Sequence, residues 1–575
     1  MSYATELAAI SRTPVYLVVL TLDYCDEVFG AAPCAAVGSG DAKCFNTYPT
    51  CKDKANYNKI TKDYRFSSAD VPVNQTLLEN VRPYVQSVTP LPTEITDNIT
   101  VAGSVTIEFL DEPDTDIGID PYYDGRTDPT RGTFWRKLLA RNPNYRKRRV
   151  RIYQGFDNID EVDYEQIFEG WIDNISHPQG GIVTVEANDW LAVLSEKEIP
   201  EEYDIKLVTD IELDSVNIPV TDETNLDPSG YIRMGDEIIY YASINGNTLM
   251  DCERGYFNTV AEEHSADEKI LKVIYFTPQS GYDLIYDLLT TYAGIDAAYI
   301  DATSFTTAKD FDCYSVLFSA IIDERIDVWT LVFELVDLLS CKMWQGEDLK
   351  ITIAKNLPNN PIRSYRSLTD ADNIIIDSDS IDQRGDSRYS KVTMYWDKMA
   401  CMSDEDMANY RRNNTVEDSD GNSANYYGET VEKAIWCRWL RPDYMDEEKV
   451  TRFIDNLLKR ILRLGKHPMP TMNMELELKD SGIKTGEYVR ISTDQIVDPL
   501  GASISNHCFQ IVRREQRDTQ FTYKALKYPL NKIAFMCATT VPEYSSASID
   551  QKEYGFQCNT ALTFADGTTS IYFTY

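Results

Sequence analysis

The chain has 575 residues, 43% of them hydrophobic, and a formal net charge of −36. That charge excludes a general affinity for nucleic acid, which needs a basic footprint to neutralise phosphates, but it suits a solvated exterior or a conduit through which DNA passes without sticking. The length implies several domains, at roughly 150 residues each, and 37 Tyr against 20 Phe favours β-structure.

Residues 1–12 lack a basic leader, and the apolar run at 13–22 is too short to span a bilayer. The chain is therefore expected to fold in reducing cytosol, with that run as a buried strand. It leads into Cys25, Cys34, Cys44 and Cys51, spaced C-x8-C-x9-C-x6-C in a loop of small residues. Such a loop cannot bury enough surface to fold alone and needs a staple. Residues 63–66, 84–88 and 100–110 read as strands, the last alternating apolar and polar. Asp111, Asp114, Asp116, Asp120 and Asp124 follow, in an order that breaks the calcium-loop pattern, and are expected to form a solvated acidic loop. Residues 133–142 read as a short helix stopped by Pro143, and strands at 150–153, 165–172 and 181–186 complete the first unit.

The whole is expected to be mainly β with α+β parts. Residues 1–205 form a first β-barrel domain, with a cysteine-stapled insertion at about 25–95. Residues 206–275 form a small β module whose Asn245-Gly246 pair signals a hairpin. Residues 276–400 are α+β, with a helix at 326–341 burying Trp329, Phe333, Val336 and Leu339. Residues 401–432 read as a polar surface loop. Residues 433–532 read as a second β-barrel domain behind a leading helix that carries Phe453, Ile454, Leu457, Leu458 and Leu462 on one face, and 533–575 as a short β tail.

Catalytic constellations are thin. The four histidines, His177, His264, His467 and His507, stand in no HExxH motif, and no phosphate loop or nucleophile elbow is present. His467 is expected to complement a helix dipole and His264 to close a turn. The basic run Arg146-Lys147-Arg148-Arg149 is read as a strand edge facing water or neighbouring acids, or as a contact with an acidic partner. The cysteines carry the strongest chemistry. Reducing cytosol argues against structural disulfides. Four soft thiolates suit zinc or an iron–sulfur cluster. The C-x2–4-C pairs usual for structural zinc are missing, and the wide spacings would wrap a larger centre. Iron–sulfur, zinc, disulfides and free cysteines all remain open on these grounds.

The stretches Asp23-Tyr24-Cys25, Phe29-Gly30, Pro33-Cys34, Lys43-Cys44 and Thr50-Cys51 resemble the cysteine motif of tail-tip and baseplate hub proteins of long-tailed bacteriophages. The outer spacings, C-x8-C and C-x6-C, are shared with lambda-type tail-tip proteins that bind a [4Fe–4S] cluster. The middle gap is shorter here, and the motif lies near the N-terminus rather than the C-terminus. Residues 100–195 are similar to the first barrel of such hubs. Residues 230–265, with Gly235-Asp236-Glu237-Ile238-Ile239-Tyr240-Tyr241, the Arg254-Gly255 turn and His264, look like a small module of tail proteins. The resemblance implies a homotrimeric, non-enzymatic virion protein at the tail tip, made in the host bacterial cytoplasm. It would bind distal tail or tube proteins, fibres or a central spike, and the tape-measure protein, with no sequence-specific nucleic-acid contact and no membrane span. It implies Cys25, Cys34, Cys44 and Cys51 as ligands of a [4Fe–4S] cluster, with zinc as the alternative. The competing reading is a tail-associated hydrolase acting on the cell envelope.

Overall fold

The fold is that of a computed structural model. It describes residues 5–6, 13–36, 44, 46–68, 81–90, 93–96, 99–100, 104–113, 132–157, 159, 163–310, 316–346, 348–356, 365–382, 388–418, 428–442, 447–466, 470–480, 482–497, 501–517 and 520–527. The expected tail at 533–575, His467 and the acidic positions Asp114, Asp116, Asp120 and Asp124 lie outside the described residues.

The chain is mainly β, in several sheets. The first sheet runs, in spatial order, Val81–Arg82, Lys59–Ser67, Pro14–Cys25, Arg149–Phe156, Glu165–Ile175, Ile182–Asn188, Ser104–Leu110 and Val85–Pro90. Its two outermost strands are separated in sequence by only two residues, Pro83 and Tyr84. The sheet must therefore curl until its edges meet, which makes it a barrel. Period-2 alternation puts Val18, Leu20, Leu22, Val105, Ile107, Phe109, Val183 and Val185 inside. The helix Phe134–Arg141 plugs one end, with Trp135 stacked on Phe66 at 5.3 Å.

Strand pairing corrects the expected insertion. Lys59–Ser67 pairs with Pro14–Cys25 along its whole length, and Val85–Pro90 pairs with Ser104–Leu110. Both are barrel strands, so the excursion after the first strand is the loop 26–58. The hairpin Thr93–Thr96 and Ile99–Thr100 leaves the barrel altogether. It pairs with Ser503–Arg517 on one side and with Cys341–Gln345 on the other.

The second β-rich unit is built from Thr471–Glu477, Tyr488–Val497, Ser503–Arg517 and Gln520–Lys527 around Leu368, Met474, Ile491, Phe509 and Tyr523. It recruits Arg366–Thr369 and Ser380–Asp382 from the stretch expected in the α+β unit. The amphipathic helix Glu447–Gly465 does not lead this unit. Its Val450, Ile454 and Leu458 pack in the central α+β core with Leu284, Ile285, Leu335, Val392 and Trp396. The apolar stripe predicted the helix but not the surface that receives it.

The helix Val328–Leu338 is capped by Asp327, whose carboxylate accepts the Thr330 N–H at 2.7 Å. It buries Val328, Leu331, Val332, Leu335 and Val336, while Phe333, expected inside, is exposed.

The expected polar loop 401–432 contains a strand, Tyr410–Glu417, paired with Lys391–Lys398. Its inward positions are Tyr410, Arg412, Asn414 and Val416, and the polar pair in the middle is satisfied. Asn414 accepts from Trp396 Nε1 and donates to Asp455, both at 3.0 Å, and Arg412 lies over the Trp396 ring. Apolar alternation, the usual strand signal, is therefore missing from that segment. In the small module the hairpin forms as expected: Ser243–Ile244 pairs with Thr248–Met250 around Gly246 at φ +53°.

Candidate metal centre

Cys25 is the last residue of its strand and pairs with Lys59. Its N–H donates to the Asn46 carbonyl at 2.7 Å, which brings the third cysteine's loop against the strand end. Cys34 follows a turn in which Ala31 N–H donates to the Val28 carbonyl, with Gly30 at φ +75°, a conformation glycine adopts without strain. Ala35 N–H, next to Cys34, donates to Asp53 Oδ2 at 2.7 Å, and Asn56 Nδ2 donates to the same oxygen at 2.9 Å. Asp53 thereby ties the second cysteine to the segment after the fourth. The Asn56 amide and the Ala35 N–H hold its carboxyl below the usual range.

The loop is anchored to the barrel at Thr47, which is buried. Its hydroxyl donates to the Arg141 carbonyl at 2.7 Å, at the C-terminal end of the plugging helix. Such a bond also satisfies a carbonyl that the helix leaves unpaired. The turn after it, with Thr50 N–H on the Thr47 carbonyl and Cys51 N–H on the Tyr48 carbonyl, presents Cys51.

All four cysteines line one small cavity, together with Phe29 and Lys52. They are free and partly buried. Asn46 N–H donates to Cys44 Sγ at 3.4 Å, an orientation that favours a thiolate. Burial nevertheless pushes the Cys44 thiol up, the Asn46 N–H opposes it, and negative charge at Cys51, Cys25 and Cys34 pushes it up further. Crowding with other cysteines thus favours the neutral Cys44 thiol, and nearby positive charge would favour the thiolate. Among the described residues, no group of three or more His, Cys, Asp or Glu side chains is set to hold a metal ion. As a donor set, four soft thiolates around a common space fit an iron–sulfur cluster or zinc.

The other singled-out residues have internal roles. Asp111 accepts from Thr133 Oγ1 at 2.6 Å and from Trp135 N–H at 3.2 Å, so it caps the plugging helix. In the basic run, Lys147 pairs with Glu196, Arg148 with Asp23 and Arg149 with Glu169. The run leads into Arg149–Phe156, which is paired on both sides and so is not a sheet edge, but its charges do meet neighbouring acids as expected.

His264 is part of a buried network whose other members sequence reasoning left without roles. Glu237 is fully buried. It accepts from Arg254 Nε at 2.8 Å and Nη2 at 2.7 Å, from the N–H groups of Gly255 at 2.8 Å and Glu262 at 3.0 Å, and it faces His264 Nε2 at 2.9 Å. Arg254 also donates to the carbonyls of Glu212 and Glu262. Burial alone would raise the Glu237 carboxyl; Arg254, the Glu262 N–H, His264 and the Gly255 N–H outweigh it and leave the group below its ordinary range. Gly255 sits at φ +64°, and a Cβ there would lie 2.9 Å from the Thr259 carbonyl oxygen. The Glu, the Arg-Gly turn and the later His of the module's motif are therefore one ion-paired rivet.

No family model matches the chain, and no curated protein matches it. Among solved structures it is similar to a tail protein from Neisseria meningitidis MC58, with TM-score 0.38 and 10% identity over 76% of this chain and 91% of that one. It is similar to the 43 kDa tail protein of prophage MuSo2 from Shewanella oneidensis, with TM-score 0.35 and 10% identity over 78% and 94%. It is also similar to prophage tail protein gp18 from Listeria monocytogenes EGD-e, with TM-score 0.33 and 10% identity over 77% and 87%. Among the described residues, no helix is long and apolar enough to cross a membrane.

Proposed function

We propose that the chain is a non-enzymatic structural protein of a virion: a homotrimeric hub at the distal end of a long-tailed phage tail. It joins the tail tube to the tip, fibres or central spike, contacts the tape-measure protein, and forms part of the DNA ejection channel. The observation that carries this reading is the meeting of Cys25, Cys34, Cys44 and Cys51 in one cavity, in a motif that resembles that of tail-tip hubs. The similar solved structures are of tail proteins, at a similarity too low to carry the assignment. Two β-rich units in one chain suit a trimer that presents six faces to a sixfold tube, and a net charge of −36 suits a lumen that DNA must leave freely.

In this reading the four thiolates hold a [4Fe–4S] cluster, which supplies the positive charge that lets them coexist. Zinc, with Zn–S near 2.3 Å, would draw four sulfurs to within about 3.8 Å of one another. A cluster carries its ligands at the corners of a larger body, which suits the wide spacings between the four cysteines. The residues of the chain do the rest: Asn46 steadies the Cys44 thiolate, Asp53 links two ligand segments, and Thr47 fixes the loop to the barrel.

Anaerobically purified protein is expected to be brown and to contain about four iron and four sulfide per chain. Colourless protein with stoichiometric zinc overturns the cluster. Mass photometry is expected to show trimers, alone or on purified tail tubes; monomers under both conditions overturn the hub.

A further inference from the structure

Beside the cysteine cavity lies a buried polar group that the four ligands do not use. Tyr57 Oη is shielded from solvent and has no hydrogen-bond partner among the described residues. The backbone sets its place. Cys25 pairs with Lys59, and Asp26 N–H donates to the Asn58 carbonyl at 3.0 Å, so residue 57 stands across from the end of the first strand. Asn56, the residue before it, lines the cavity. The ring is held edge-on against Tyr48 with centroids 5.2 Å apart. The charged neighbours are already engaged: Asp23 pairs with Lys59 at 3.0 Å and with Arg148 at 2.6 Å. The hydroxyl is thus a donor left over beside the strand end that carries Cys25.

A buried hydroxyl without a partner is costly, and a protein retains one where something accepts its proton. We propose that the Tyr57 hydroxyl donates a hydrogen bond to the Cys25 sulfur when that sulfur ligates the centre, so that Tyr57 is a positioning residue that tunes the cluster. This rests on the iron–sulfur reading above. A donor to a ligand sulfur offsets the negative charge gained on reduction and raises the reduction potential.

The test is Tyr57→Phe in the anaerobically purified full chain, which keeps the ring and its contact with Tyr48. Iron and sulfide content are expected to be unchanged. The reduction potential is expected to fall, and the Fe–S stretching bands in resonance Raman to shift, with loss of their sensitivity to H/D exchange at this sulfur. An unchanged potential and unchanged bands in an iron-loaded variant overturn the Tyr57 role and leave the cluster standing. Wild-type protein that lacks iron and sulfide overturns both, so the two failures are told apart by metal content alone.

Discussion

The cysteine loop 26–58 and the small module around Glu237 solve one problem in opposite ways. Each is a short excursion that must be held in shape. The module has its own apolar core, with Ile205, Ile218, Ile232, Ile239, Leu249 and Ile270, and a rivet whose charges are satisfied within the chain. The loop contributes little to the barrel core, and its four cysteines face a shared cavity. A staple that closes on itself is structural by construction. In the iron–sulfur reading, the one that gathers four cysteines is complete only when the cluster is added. That contrast, more than the cysteine count, separates a fold device from a binding site.

The largest expected effect breaks the loop side. Cys34→Ser is expected to abolish cluster content and to expose residues 26–58 to rapid proteolysis, while amide exchange in the module stays slow. Equal loss of protection in both regions would show that the loop is not an independent staple.

Glu237→Ala does the reverse. It strands Arg254 in the interior, and removing one partner of a buried pair costs about 3–5 kcal/mol. Denaturant-dependent amide exchange is expected to show the module opening early with iron content intact. A loss below about 1 kcal/mol would reduce the network to a surface-like ion pair.

The smallest effect is in pH, with opposite signs for the two staples. The folded Glu237 carboxyl lies below its unfolded value, so its contribution is full above the unfolded value and is lost as pH falls through the folded one. The metal-free loop behaves oppositely. The folded Cys44 thiol lies above its ordinary value of 9.0, so the contribution is present below that value and is lost as pH rises through the folded one. Chemical denaturation across pH is expected to find the module weakened in acid and the metal-free loop weakened in alkali. The same direction for both would break the comparison.

Much of this was legible locally. The strand before Cys25, the Asn245-Gly246 hairpin and the amphipathic helix Glu447–Gly465 follow from periodicity and turn chemistry, which act over a few residues. The module's motif could be read as Gly-Asp-Glu, Arg-Gly and His, but its roles could not, because Glu237 and His264 meet across 27 positions. Tyr410–Glu417 escaped notice because the two inward residues at its centre, Arg412 and Asn414, are polar and are satisfied by Trp396 and Asp455.

By itself the sequence determined the β-rich class, the acidic surface and the four cysteines as the one concentrated chemistry. Tertiary structure decided which strands belong together. It closed the first barrel through Val81–Arg82 and Val85–Pro90, sent the hairpin at 93–100 into a distant sheet, and placed the helix Glu447–Gly465 in the central core. Strand pairing and helix docking satisfy backbone groups and apolar faces wherever a complementary partner lies, and local sequence carries no record of which partner that is. The same holds for the cysteines: their spacing announced a staple, and only the fold set all four around one cavity.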